Sequence, residues 1–312
     1  MRTELEKKLN EKGLSPSSVK IYVRNLEKLY GDNEMKNLNF LKDVDKIIEK
    51  LEKYRPNTKR TYLISIVSCL GVMCSGNKVL TKLHKIYQDK MNDIDGEIKS
   101  KPADVKSETQ KENWIDWVDV ENTLVSLKDK IDVKKKVINE TEYNRLLDFV
   151  VLSLYVYQAP RRNSDYLSMS VVKSISDANE TDKNYFVSDT NEFVFNSFKT
   201  SKKEGQIVIK VSNEMSNVIK TYFKYHPLIR GKALKKGVKI PFLVFSDGKP
   251  LHLVNAITRI LNKIFGKRVG SSMLRASYLT GKYGDIKEEQ AKDAKEMSHS
   301  VRTAQSIYTK VN

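Results

Sequence analysis

The chain is poor in cysteine, with two in 312 residues. Cys69 and Cys74 lie in one apolar segment, with no histidine or cysteine nearby at metal-ligand spacing. That excludes a disulfide framework and a zinc site, and marks them as small core residues of a reducing compartment. Long apolar runs are also missing. The longest, Leu63–Cys74 and Phe149–Tyr157, fall short of the roughly 20 residues that a spanning helix needs. The N-terminal Met1-Arg-Thr-Glu-Leu-Glu-Lys-Lys has no apolar stretch of the kind a signal peptide carries, so an intracellular protein with no membrane association is expected. Histidine is scarce at four, and His84, His226 and His252 stand outside any motif.

Acidic residues are outnumbered: 56 Lys+Arg face 39 Asp+Glu, a formal charge of +17. An excess of that size suits a polyanionic partner, and with the membrane reading weakened this means nucleic acid. The abundance of Lys and Asn is associated with an AT-rich genome, such as that of a virus or mobile element.

The length suits about two domains. Ser15 caps a helix with Pro16 in its first turn; Val19, Tyr22, Leu26 and Leu29 mark its apolar face, and Gly31 suits its end. A related pattern recurs at Arg55–Tyr62, where Asn57 is the expected cap. Further helices are expected over Phe40–Lys53 and Thr81–Met91. Residues 1–95 thus read as a small helical bundle. Residues 96–113, polar and with Pro102, have linker composition. Trp114 and Trp117 are expected to pack the entry of a second domain, 114–312. There Val118–Ile131 and Glu140–Tyr157 read as helices, the latter capped by Asn139. Tyr185–Val187, Glu192–Phe198 and Gln206–Val211 read as strands of a small antiparallel sheet. Helices return over Glu214–Tyr225, Leu253–Phe265, Ser271–Tyr283 and the final segment. The expected class is mainly α with a small β-sheet, α+β.

The last sixteen residues carry a histidine followed nine residues later by a tyrosine, His299 and Tyr308. Upstream stand Arg275, in Ser272-Met-Leu-Arg275, and Arg161-Arg162, in Ala159-Pro-Arg-Arg-Asn-Ser-Asp165. Arginines give paired hydrogen bonds to phosphate oxygens, histidine moves a proton near neutrality, and a tyrosine hydroxyl attacks once its proton is removed or its anion stabilised. Each residue also has a plain structural reading. Arg162 or its neighbour Arg161 can pair with Asp165, and Lys199, Lys202 and Lys203 can form a solvated basic turn gripping a backbone. Arg275 can be a surface arginine, His299 an ordinary helix-start residue and Tyr308 a core aromatic.

In their order and spacing these residues resemble the motifs of the tyrosine recombinases, the family of phage integrases. Residues 114–312 look like that family's catalytic domain, and the first hundred like its helical core-binding domain, the latter in general pattern only. The resemblance matches Arg162 to the first family arginine and Asp165 to the acidic residue that follows it. It matches Lys199, with Lys202 as rival, to the lysine between two short strands, Arg275 to the arginine of the His-x-x-Arg box, and Met297-Ser298-His299-Ser300 with Tyr308 to the terminal box. It implies site-specific DNA strand cleavage and rejoining through a 3′-phosphotyrosine. Tyr308 would be nucleophile, Arg162 and Arg275 the phosphate clamp, His299 proton shuttle and Lys199 general acid, with Ser272, Lys202, Lys203 and Arg161 contacting phosphate. It implies no metal and no cofactor, duplex DNA as partner, and a homotetramer on two DNA sites. Two features depart from the family: Ser272 replaces a histidine or lysine and is a poor proton acceptor, and only four residues follow Tyr308. The alternatives are a type IB topoisomerase, which shares the chemistry, and a DNA-binding protein with a decayed site.

Overall fold

The computed structural model describes residues 1–31, 34–100 and 105–305. It divides into two units, Met1–Lys106 and Ser107–Asn312.

The first unit is helical. Its elements are α1 (Arg2–Glu11), α2 (Pro16–Tyr30), a 3-10 turn (Asn39–Lys42), α3 (Val44–Glu52), α4 (Pro56–Met73) and α5 (Lys78–Ser100). Ser15 accepts from the Ser18 N–H and Pro16 opens α2, as the sequence predicts. The cap of α4 is Arg55 instead of Asn57, because Pro56 takes the first helical position and moves the start upstream. The helix expected over 40–53 is divided, since Asp43 accepts from the Lys46 N–H and starts α3 afresh. Leu5, Leu26, Leu41, Leu63, Ile66, Cys69 and Tyr87 pack the core. Burial pushes the Cys69 thiol up to about 12, so it stays protonated. Cys74 is half-buried and donates to the Gly71 carbonyl.

The segment expected to be a linker, 96–113, is partly helical. α5 runs on to Ser100, and α6 (Glu108–Asn113) forms on a reciprocal cap, Ser107 accepting from Gln110 N–H while the Gln110 side chain accepts from Ser107 N–H.

The second unit continues with α7 (Trp117–Asp129), α8 (Glu140–Val156), α9 (Asn163–Leu167), β1 (Ser170–Val172), β2 (Asn184–Val187), β3 (Glu192–Phe195), α10 (Ser201–Glu204), β4 (Ile207–Lys210), α11 (Asn213–Tyr225), β5 (Ile240–Pro241), α12 (Ala256–Phe265), α13 (Ser271–Glu296) and α14 (Val301–Thr303). The class is α+β, mainly helical. The sheet has the order β4-β3-β2-β1-β5. It is mixed, not antiparallel throughout: β1 runs parallel to β2, while β3, β4 and β5 join antiparallel. The sequence reading omitted β1 and β5, which are too short to show alternation.

Helix α8 is the spine of this unit. Asn139 and Glu142 cap its start reciprocally, and eleven of its residues, from Tyr143 to Tyr155, are buried. One sheet face sends Phe186, Phe193 and Phe195 into the same core with Tyr222 and Phe242, in edge-on ring pairs such as Phe193–Phe242 at 5.9 Å. Tyr185, Val187 and Val194 point to the other face, with Val172 and Ala178. Both faces are covered, which is why β2 shows no polar alternation.

Candidate phosphate-binding site

Two asparagines, half-buried Asn163 and buried Asn184, organise the region around the paired arginines. Asn163, the first residue of α9, accepts from the Tyr155 hydroxyl (2.6 Å) and donates from Nδ2 to Thr258 Oγ1 (2.8 Å). Its backbone N–H donates to Ser271 Oγ at 3.4 Å. One residue thus ties α8, α9, α12 and the start of α13. Asn184 uses its whole amide: Nδ2 donates to the carbonyls of Asp165 and Ser197, and Oδ1 accepts from the N–H groups of Asn196 and Ser197, all at 2.8–2.9 Å. It fastens α9 to the chain leaving β3, which leads to Lys199.

Arg161 completes that tie. Its Nε donates to Asp165 Oδ2 at 3.0 Å, and its guanidinium lies 3.8 Å from the Phe195 ring centroid and 5.2 Å from that of Phe198. Asp165 is 2% exposed and also accepts from Ser164 Oγ. Arg161, expected among the phosphate contacts, is therefore committed to a buried pair. Arg162 is the residue whose side chain has no partner among the described residues. It caps α9 in extended backbone, which points successive side chains apart.

Arg275 lies one turn after Ser271 on α13, half-buried and also without a partner among the described residues. The cap of α13 is Gly270, with no side-chain oxygen closing the helix start. The open N–H groups and the helix dipole there favour an anion, and exposed Ser272 adds a hydroxyl. Asn163 thus holds the backbone next to Arg162 against the start of α13, the helix that carries Ser272 and Arg275. Lys199 is exposed just after Phe198, and Lys202 and Lys203 sit exposed on α10, a single helical turn.

His299 is not gathered with these residues. α13 runs unbroken to Glu296 instead of ending near Tyr283, and a helix rises about 31 Å between Arg275 and Glu296. Ser298, with φ of 57°, turns the chain there. His299 Nδ1 lies 3.1 Å from the Met297 carbonyl, and its Nε2 is buried. Tyr308 lies outside the described residues.

Asn163 and Asn184 were missed in the sequence. Asn184 begins an otherwise apolar Asn-Tyr-Phe-Val strand, and that mismatch was the available signal. Of the three histidines outside the motifs, His226 is structural. Its Nδ1 accepts from Leu228 N–H and its Nε2 donates to the Pro241 carbonyl, and burial pushes its pKa down to about 4.

Among the described residues, no group of three or more His, Cys, Asp or Glu could hold a metal ion, and no helix is long and apolar enough to cross a membrane. No protein-family model matches the chain, and no curated protein matches it in sequence. Among solved structures the chain is similar to XerA recombinase, with 12% identity and a TM-score of 0.34, over 100% of this chain and 95% of that one.

Proposed function

We propose that the chain cleaves and rejoins DNA strands through a covalent phosphotyrosine, as a site-specific recombinase. The observation that carries this reading is the joining of Arg162 and the open start of α13, with Arg275, through Asn163. Two uncommitted guanidiniums beside a helix N-terminus suit a phosphodiester, whose charge grows as it is attacked. The net charge of +17 suits a long polyanion.

In the proposed reaction the Tyr308 oxygen bonds to the scissile phosphorus and the bond to the 5′ oxygen breaks. Arg162 and Arg275 hold the non-bridging oxygens. Lys199 gives the departing 5′ oxygen its proton, and His299 Nε2 takes the proton from the tyrosine. Attack by the 5′ hydroxyl of a second strand reverses each transfer and releases the tyrosine. The ester conserves the energy of the cleaved bond, so rejoining draws on no nucleotide hydrolysis. Recombination between two duplexes further calls for a homotetramer.

A second reading is a DNA-binding protein that does not cut. The unbroken α13, which holds His299 far from Arg275, favours it.

Covalent trapping separates the two. The full chain is incubated with nicked suicide duplexes tiled across DNA flanking its gene, then denatured in SDS. A shifted band lost in Tyr308→Phe supports strand transfer. Tight, salt-sensitive binding to the same duplexes with no band supports the second reading. Relaxation of unrelated supercoiled DNA by single protomers would assign the same chemistry to a type IB topoisomerase.

A further inference from the structure

α13 is built as two halves with different surroundings. The first half is anchored. Ser277 Oγ donates to the Ile115 carbonyl at 2.7 Å, Tyr278 meets Trp117 edge-on at 5.1 Å, and Gly281 lies so close to Trp117 that a Cβ there would stand 2.8 Å from the tryptophan Cβ. These residues occupy one face of the helix. Residues 278–293 include no buried side chain, Ala294 is buried, and the chain returning after Ser298 touches this half of the helix, Gln305 Nε2 donating to Gln290 Oε1 at 3.0 Å.

The opposite face carries an apolar stripe. Leu279, Tyr283, Ile286 and Met297 are 52%, 47%, 53% and 59% exposed. At 100° per residue all four fall within about 40° of one line along the helix, and Ser272 and Arg275 lie on the same line. Leu279 and Ile286 stand one on either side of Gly281 and Gly284. A glycine weakens a helix interior by about 1 kcal/mol relative to alanine, and two of them occur here where packing against Trp117 ends.

We propose that α13 is a two-state arm that folds back at Gly281–Gly284 toward its Arg275 face. The move brings Ile286 and Met297 against Leu279 and the first half of the helix, covering the stripe with the chain's own second half. The lengths agree. Ser272 lies twelve residues before Gly284 and Glu296 twelve residues after it (284 − 272 = 296 − 284). Folded back, Glu296 comes level with Ser272 and Asp293 with Arg275, and His299, turned back so that its N–H donates to the Ala294 carbonyl at 3.0 Å, arrives near Arg275. The straight form separates the proton shuttle from the phosphate clamp and is the resting state; the folded form assembles them. A bound phosphate backbone selects the folded form, because only there do clamp and histidine reach the same anion. This regulation rests on the strand-transfer reading, but the movement itself is measured without it.

The test is a distance. Spin labels are placed at Arg268→Cys and Lys295→Cys in the full chain, with Cys69 and Cys74 replaced by alanine, and dipolar coupling is recorded with and without duplex DNA. The straight helix alone spans about 36 Å from Ser271 to Lys295. A second population at least ~10 Å shorter, enlarged by DNA, is expected. Gly284→Ala fits the straight helix, where the new Cβ meets only Thr280 Cγ2 at 3.6 Å, and should reduce the short population by about two- to fivefold through helix propensity. Ile286→Ser, exposed in the straight form, should reduce it as well. A single long distance in every sample, or a short population indifferent to both variants, overturns the hinge. If the short population responds to both variants while no Tyr308-dependent adduct ever forms, the hinge stands and the strand-transfer reading falls.

Discussion

Arg161 and Asp165 form a buried pair, Nε to Oδ2 at 3.0 Å, with the guanidinium laid over Phe195. Its consequence is a division of labour between adjacent arginines: Arg161 holds α9 to the sheet, and Arg162 next to it stays uncommitted. Removing Arg161 leaves the buried Asp165 carboxylate without its cation, with Ser164 Oγ as its remaining side-chain partner, so Arg161→Ala should lower unfolding free energy by about 3 kcal/mol. Arg162→Ala should change it by less than about 0.5 kcal/mol, while abolishing the covalent adduct. Urea unfolding beside SDS trapping checks both; equal destabilisation by the two variants would refute the division.

Asn163 should act as a positioning residue. Asn163→Ala deprives the Tyr155 hydroxyl and Thr258 of their partner and should cost about 2 kcal/mol. Because Arg162 and the α13 start are set by this residue, cleavage should also fall at temperatures where the variant remains folded. Asn163→Asp keeps acceptors for both hydroxyls and should recover much of the activity. Single-turnover cleavage of the three proteins decides this; an Asp variant no better than Ala would contradict it.

Stability should fall in mild acid on account of His226. Its folded pKa is about 4, below the ordinary value of 6.5, so between these pH values the unfolded chain takes up a proton that the folded chain refuses. The stabilisation is complete above about pH 6.5 and should decline by about 3 kcal/mol on reaching pH 4. His226→Gln removes this titration. Its unfolding midpoint should therefore depend less steeply on pH over that window than the wild type's, whatever its absolute stability.

Lys199 and Lys202 should separate by chemistry. If Lys199 protonates the leaving 5′ oxygen, Lys199→Ala should slow cleavage by a factor on the order of 100 or more. A substrate whose bridging 5′ oxygen is replaced by sulfur leaves as a thiolate without a proton, and should restore the rate. Lys202→Ala should weaken binding and flatten its salt dependence, with no sulfur rescue. Rescue of the Lys202 variant instead would exchange the two roles.

Much of the secondary structure was legible because it rests on local chemistry. Ser15 with Pro16, and Asn139 with Glu142, announce helix starts through hydrogen bonds within four residues. The strands at 184–187, 192–195 and 207–210 announce themselves by β-branched and aromatic runs between turn residues. β1 and β5 escaped, since three- and two-residue strands exist only through their neighbours.

For the site, the sequence by itself determined which residues have the right chemistry: guanidiniums, a lysine between strands, a histidine nine residues before a tyrosine. It also determined the excess positive charge, because these are properties of side chains and not of their arrangement. Only the tertiary structure decided which arginine is spoken for, since Arg161 and Arg162 are chemically identical and differ in what packs around them. It alone revealed Asn163 and Asn184 as the ties, whose partners lie up to 108 residues away in the chain. The course of α13 was likewise decided by packing. The sequence suggests an end near Tyr283, but the helix runs unbroken to Glu296, and that sets the distance between His299 and Arg275.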